Sequence, residues 1–147
     1  VEGRVSRSAL IAESREWIGT PYRHGVCAKG HGSDCVGFAL TVFQKFGLVP
    51  DDIKLPRIYP MEPESYLLQR YLDKYLVRAE TIEPGFVGLF KFKTYPQHLC
   101  IFSTIDKTGL PGMIHASLLF KRIVEHHYSD EWQHWFVGAY KPHQVFY

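Results

Sequence analysis

At Pro84-Gly85 the character of the chain changes, and that change restricts what it can fold into. Ahead of it, apolar residues recur at helical spacing. Behind it come short apolar or alternating runs rich in Phe, Val, Ile and Leu. Helices first and strands second predict an α+β architecture, with N-terminal helices packed on a central antiparallel β-sheet. With 147 residues, 46% of them hydrophobic, the chain can build one ordinary core, so residues 1–147 are read as one domain.

In the first half, Ser8 is the expected cap of a helix carrying Leu10, Ile11, Trp17 and Ile18, with Gly19 and Pro21 as its stop. Between Gly19 and Ser33, Gly25, Gly30 and Gly32 break any period and predict a loop that can approach a neighbouring helix closely. A second helix is expected from about Asp34. Val36, Phe38, Ala39, Val42, Phe43 and Phe46 form its apolar stripe, and Gly47 its left-handed terminator. Residues 48–63 are proline-rich, and residues 65–72 read as a third helix whose tyrosines either pack or line a substrate groove.

In the second half, strands are expected over 86–92, 98–104, 113–119, 122–127 and 135–140, with a turn at Asp106-Lys-Thr-Gly109. His126, His127 and Tyr128 read as core edge and surface. So do Trp132 and Trp135, spaced three apart as on one side of a short helix.

The formal charge is only +2 and the basic residues are dispersed, which argues against a nucleic-acid partner. No apolar run approaches the roughly 18 residues of a membrane-spanning helix. The chain begins at Val1 rather than methionine, which leaves room for an upstream segment, although no signal peptide is visible in the chain itself. Three cysteines do not make a disulfide framework, so at least one thiol is expected to be free. A Cys27–Cys35 pair would block the chemistry described next.

Ser33-Asp34-Cys35-Val36-Gly37-Phe38 places a cysteine where the glycine-rich loop becomes a helix. The unpaired amides and positive dipole end of a helix favour thiolate there. Downstream, His98 and His115 sit in strand-like runs. A cysteine, a histidine to activate it and a polar group to orient that histidine form the pattern of nucleophilic amide chemistry. Cys35 is the candidate nucleophile, its own amide a candidate oxyanion donor, and His98 the base and then the acid. The pair can then rest as thiolate and imidazolium. His115 is the candidate orienting group, with Asp106 as its competitor. A zinc site drawn from Cys27, His31, Cys35, His98 and Cys100 is the contrasting reading, but it lacks the paired Cys-x-x-Cys knuckle, so no metal or cofactor is expected.

The order Cys…His…His, with Tyr22 ahead of it in Trp17-Ile-Gly-Thr-Pro-Tyr22, resembles the NlpC/P60 family of papain-like cell-wall cysteine peptidases. The run through Arg23, His24 and Gly25 to Asp34-Cys35-Val36-Gly37 is similar to the branch found in bacteriophages and gene-transfer particles. The resemblance implies a papain-like fold and hydrolysis of an amide in the peptide stem of peptidoglycan through a Cys35 thioester. It also implies action at the cell wall after secretion, periplasmic export or delivery by a particle, with phage-tail or similar proteins as possible partners. It sets Tyr22, Ser33 and Asp34 around the pocket for the amine end of the stem. Three positions depart from the family pattern: Val36 replaces a small polar residue, Phe86 an aspartate and Cys100 a glycine. The alternatives are a wall-peptide-binding or structural tail module without catalysis, and a Cys-His acyltransferase or amidase acting on another substrate.

Overall fold

The computed structural model of the protein describes residues 3–53 and 65–147. Most of the proline-rich stretch expected over 48–63 lies outside the described residues. Strand β1 (Arg4–Val5) leads directly into helix α1 (Arg7–Arg15). The cap of α1 is Ser6 rather than Ser8. Ser6 has extended backbone and its hydroxyl accepts the Ala9 amide at 3.2 Å, whereas Ser8 already lies in the first turn. Leu10 and Ile11 are buried on α1. Trp17 falls beyond the helix but stays in the core, edge-on to Phe38 at 5.5 Å, and Ile18 is exposed.

The segment expected as a loop contains a small hairpin, β2 (Cys27–Ala28) and β3 (Gly32–Ser33), paired Cys27 to Ser33. Helix α2 (Cys35–Lys45) follows with Asp34 as its cap, and Gly47 ends it at φ +67°. Phe38, Val42 and Phe43 are almost wholly buried. At about 1.5–3 kcal/mol for each such side chain, they make α2 the main helical contributor to the core. Helix α3 (Leu67–Tyr75) lies near the expected third helix, shifted towards the C-terminus.

The strands are β4 (Val77–Ala79), β5 (Val87–Phe90), β6 (His98–Ile105), β7 (Pro111–Ser117) and β8 (Arg122–His127). After them come helix α4 (Asp130–Trp135), β9 (Phe136–Lys141) and β10 (Val145–Phe146). Six of the strands form one antiparallel sheet in the order β4-β9-β5-β6-β7-β8. β9 is therefore an interior strand and not the last of the chain. β10 pairs in parallel with β1 instead.

Alternation along β6 divides the sheet into two faces. Leu99 and Ile101 join Ile114, Ala116 and the buried side of α2. Cys100 and Phe102 join Phe90, Met113 and Tyr128 on the opposite face, which α4 and Phe136 cover with aromatic rings. His98, the first residue of β6, shares the aromatic face with Cys100.

Candidate active site

The Asp34 carboxylate ties loop to helix. One oxygen accepts the Gly37 amide at 2.8 Å and the other accepts the Gly25 amide at 2.7 Å. Gly37 is required by packing, because a Cβ there would lie 2.7 Å from Cys27 Cβ and 2.9 Å from the Val26 carbonyl oxygen. Hairpin and first helical turn are thus in direct contact, and Cys35 is the first residue of α2.

Cys35 is buried, and its sulfur rests on the start of β6. The thiol donates to the Gln97 carbonyl at 3.8 Å, while the Leu99 amide and the amides of Val36 and Cys35 point at the sulfur. Its backbone partners therefore bracket His98. The imidazole of His98 lies among Phe90, Phe92 and Trp132, the last at 5.3 Å between ring centres. Its Nε2 meets His115 Nδ1 at 2.8 Å, which leaves Nδ1 as the nitrogen available to a thiol. Asp106 takes no part. It bonds Thr108 and His127 at the far end of β6, roughly 25 Å of strand away at about 3.3 Å per residue.

The row of imidazoles continues beyond His115. His115 Nε2 meets His126 Nε2 at 2.7 Å, and His126 Nδ1 meets the His127 carbonyl at 2.8 Å. His126, expected at the core edge or surface, is half-buried on the edge strand β8 and meets His115 there. Strand register could have found it. β8 pairs His126 with Met113 and Val124 with His115, so His126 lies one diagonal step from His115 on the same face. Trp132, expected only to pack, does pack, and it does so on all three imidazoles.

Tyr22 is half-buried, bridged to Ser33 and fixed by its amide to the Lys121 carbonyl at 2.9 Å. Burial, followed by the charges of Cys35 and Asp34, pushes its hydroxyl up to about 12. Ser33 is buried and its hydroxyl donates to the Asp34 carbonyl at 2.9 Å. As placed, Ser33 and Asp34 hold Cys35 in position, and Tyr22 is the member of the three with more exposure.

The resting charge state differs from thiolate and imidazolium. Burial, then the Asp34 charge, raises the Cys35 thiol from 9.0 to about 12 against the opposing pull of the three amides. That rise corresponds to about 4 kcal/mol, larger than the roughly 0.3–2 kcal/mol a helix terminus supplies. Burial, then the charge of His126, lowers His98 to about 3. Burial, then His98 and His126, lowers His115 to about 2. The Cys35 thiol and the imidazoles of His98 and His115 rest neutral.

The three cysteines and two histidines of the zinc reading do not converge on one point. Cys27 is exposed on the hairpin, and Cys100 is buried on the aromatic face. Among the described residues no group of three or more His, Cys, Asp or Glu side chains is arranged to hold a metal ion. Beside Cys35 an apolar groove runs between α2 and α3, lined by Val36, Leu40, Tyr71, Tyr75 and Leu99 among others. Of the tyrosines expected either to pack or to line a groove, Tyr71 lines this one, joined by Tyr75 from beyond the expected helix.

Neither a family model nor a curated protein matches the sequence. Solved structures do match. A protein of the NLP/P60 family, similar to lipoprotein, from Staphylococcus aureus subsp. aureus Mu50 superposes with a TM-score of 0.63 at 22% identity, over 92% of this chain and 41% of that one. An NlpC/P60 family protein from Bacillus cereus ATCC 10987 gives 0.67 at 19% identity, over 95% and 41%. The NlpC/p60 domain of the peptidoglycan hydrolase SagA gives 0.59 at 20% identity, over 93% and 99%. The fold is the papain-like α+β fold of the NlpC/P60 proteins. The chain spans 41% of the length of each of the first two and nearly all of the SagA domain.

Proposed function

We propose that the chain is an NlpC/P60 cysteine peptidase that hydrolyses an amide bond in the peptide stem of bacterial peptidoglycan. The observation that carries this is one junction, where Cys35 at the start of α2 abuts the backbone on both sides of His98, whose Nε2 is held by His115. Because thiol and imidazole rest neutral, attack and proton transfer are coupled. The proton leaves Sγ for His98 Nδ1 as the C–S bond forms. The Cys35 backbone amide at the start of α2 is the donor offered to the oxyanion. His98 returns the proton to the leaving amine, and water attacks the thioester with His98 again as base. His115 orients the ring.

Tyr22 borders the entry for the amine end of the stem, with the Asp34 charge behind it. Val36 presents an apolar wall where the family pattern has a small polar side chain. That wall favours a stem residue with an apolar flank. Action at the cell wall, including delivery by a phage tail or similar particle, belongs to the same proposal and draws on the likeness of residues 17–25 and 34–37 to that branch. Among the described residues no helix is long and apolar enough to cross a membrane.

The test is mass spectrometry of muropeptides after incubation of purified peptidoglycan and soluble stem peptides with the wild type and with Cys35→Ala, under reducing conditions, with and without a zinc chelator. Stem fragments released only by the wild type, chelator or not, are the expected result and identify the bond. No product from either substrate sinks the peptidase reading and favours a binding or tail-structural module, and loss of product only with chelator brings back the metal.

A further inference from the structure

We infer that His126 is a positioning residue for the base: through His115 it fixes His98 in the tautomer that carries its proton on Nε2 and leaves Nδ1 bare for the Cys35 thiol. The inference rests on the reading of Cys35 and His98 given above. It follows from the end of the row. A backbone carbonyl can only accept, so at 2.8 Å from the His127 carbonyl the proton of His126 is on Nδ1. In its uncharged form His126 then offers a lone pair on Nε2, and across 2.7 Å His115 Nε2 must donate to it. Neutral His115 in turn has its lone pair on Nδ1, and across 2.8 Å His98 Nε2 must donate. One peptide oxygen, three rings away, determines which nitrogen of His98 faces the sulfur.

The arrangement is built rather than incidental. Successive rings stand nearly perpendicular, at 85° and 86°, so they meet through nitrogen atoms and do not stack. Trp132 of α4 packs on all three of them. Burial lowers His98 and His115 well below the ordinary histidine range, which keeps both neutral and so keeps the order of donors intact. The titratable group facing His126 from β7 is His115, with His98 behind it, and from α4 the facing group is Trp132. Along β8, Glu125 turns to Arg15 of α1 and His127 turns to Asp106. A side chain at 126 that can only donate reverses every bond. His115 then accepts on Nε2 and donates from Nδ1, His98 accepts on Nε2, and the proton of His98 moves to Nδ1, where no base remains for the thiol.

The test is nitrogen NMR on the full chain with labelled histidine near neutral pH, which reads the protonated nitrogen of each ring without any substrate. In the wild type, protons on Nε2 of His98 and His115 and on Nδ1 of His126 are expected. A proton on Nδ1 of His98 overturns the inference, whether or not any variant folds. The variants His126→Gln, whose carboxamide oxygen can accept from His115, and His126→Arg, which can only donate, are then compared on a soluble stem peptide and by alkylation of Cys35.

Gln is expected to stay within several-fold of the wild type. Arg is expected to lower kcat by about 100-fold or more with KM unchanged, the scale of general-base catalysis. A folded Arg variant with wild-type kcat and alkylation rate overturns the inference. If the wild type cleaves no stem peptide yet shows the expected protons, the peptidoglycan reading fails while the tautomer assignment is upheld.

Discussion

If burial outweighs the helix terminus at Cys35, the free protein should alkylate slowly there, and the size of the effect can be worked out. A thiol raised from 9.0 to about 12 has, at pH 7, a thiolate fraction of about 10⁻⁵ instead of about 10⁻². The more basic thiolate is also more nucleophilic, by about 16–32-fold for a Brønsted slope of about 0.4–0.5, so the net rate falls about 30–60-fold below that of a free cysteine. Burial of the sulfur slows it further. The assay is iodoacetamide labelling from about pH 5 to pH 11, with Cys35, Cys27 and Cys100 peptides quantified separately by mass spectrometry. Exposed Cys27 should label first, and the Cys35 rate should climb about tenfold per pH unit through neutrality without a plateau. A Cys35 rate at pH 6 equal to or above that of free cysteine, flat through neutrality, would mean a resting thiolate–imidazolium pair and would refute the reasoning.

Acid should unfold the protein through the same buried row. His98 and His115 have folded values of about 3 and about 2, below the ordinary 6.5, so only the unfolded chain takes up their protons as pH falls. The stability they contribute is complete above pH 6.5 and is lost below it, at up to about 1.4 kcal/mol per pH unit for each ring. Thermal unfolding between about pH 7 and pH 4 should show a steep fall in Tm, shallower in His115→Asn. Gly37→Ala puts a methyl against Cys27 and the Val26 carbonyl. It should cost about 1–3 kcal/mol in urea unfolding and lower kcat by displacing Cys35. Glu13, buried on α1, accepts from Trp17 and Lys29 and pairs with Lys45 of α2. Burial works to raise its pKa, and these partners reverse that, holding it below the usual range. Glu13→Gln should lower stability by about 1–3 kcal/mol in the same assay, and a neutral result would show that the lysines do not depend on its charge.

Much of this structure could be read from residue pattern where one element obeys one period. α2 was legible because its stripe, its Asp34 cap and its Gly47 stop all agree. β6 and β7 are legible as apolar runs buried on both faces, and β8 as the shorter run that follows them at the sheet edge. β4 was not, since Val77-Arg78-Ala79 is too short to show a period and exists only because β9 pairs with it. β9 is legible as a strand, but its interior place in the sheet is set by long-range pairing with β4 and β5 that local pattern does not encode. At the site, Cys35, His98 and His115 could be nominated from their positions, whereas His126 required the β7–β8 register. The resting charges were misread for a related reason. The helix terminus is visible in sequence, and the burial that overrides it is not.

The division of the sheet into two faces explains why the chemistry sits where it does. The thiol belongs to the α2 face and the three imidazoles to the aromatic face, so through most of β6 the sheet itself would separate them. They can approach only where a strand begins and its backbone no longer screens one face from the other, which is at His98. At that position His98 meets His115 of β7 through Nε2, which leaves Nδ1 free of that bond. The rest of the row runs across β7 to the edge strand β8, where His126 is half-buried. An uncharged imidazole has one donor and one acceptor site, so a row of uncharged rings ending on a carbonyl has only one arrangement of protons. A carboxylate in place of His115 could accept from His98 without help. A histidine cannot orient the base until something orients it, and the His127 carbonyl, through His126, does so.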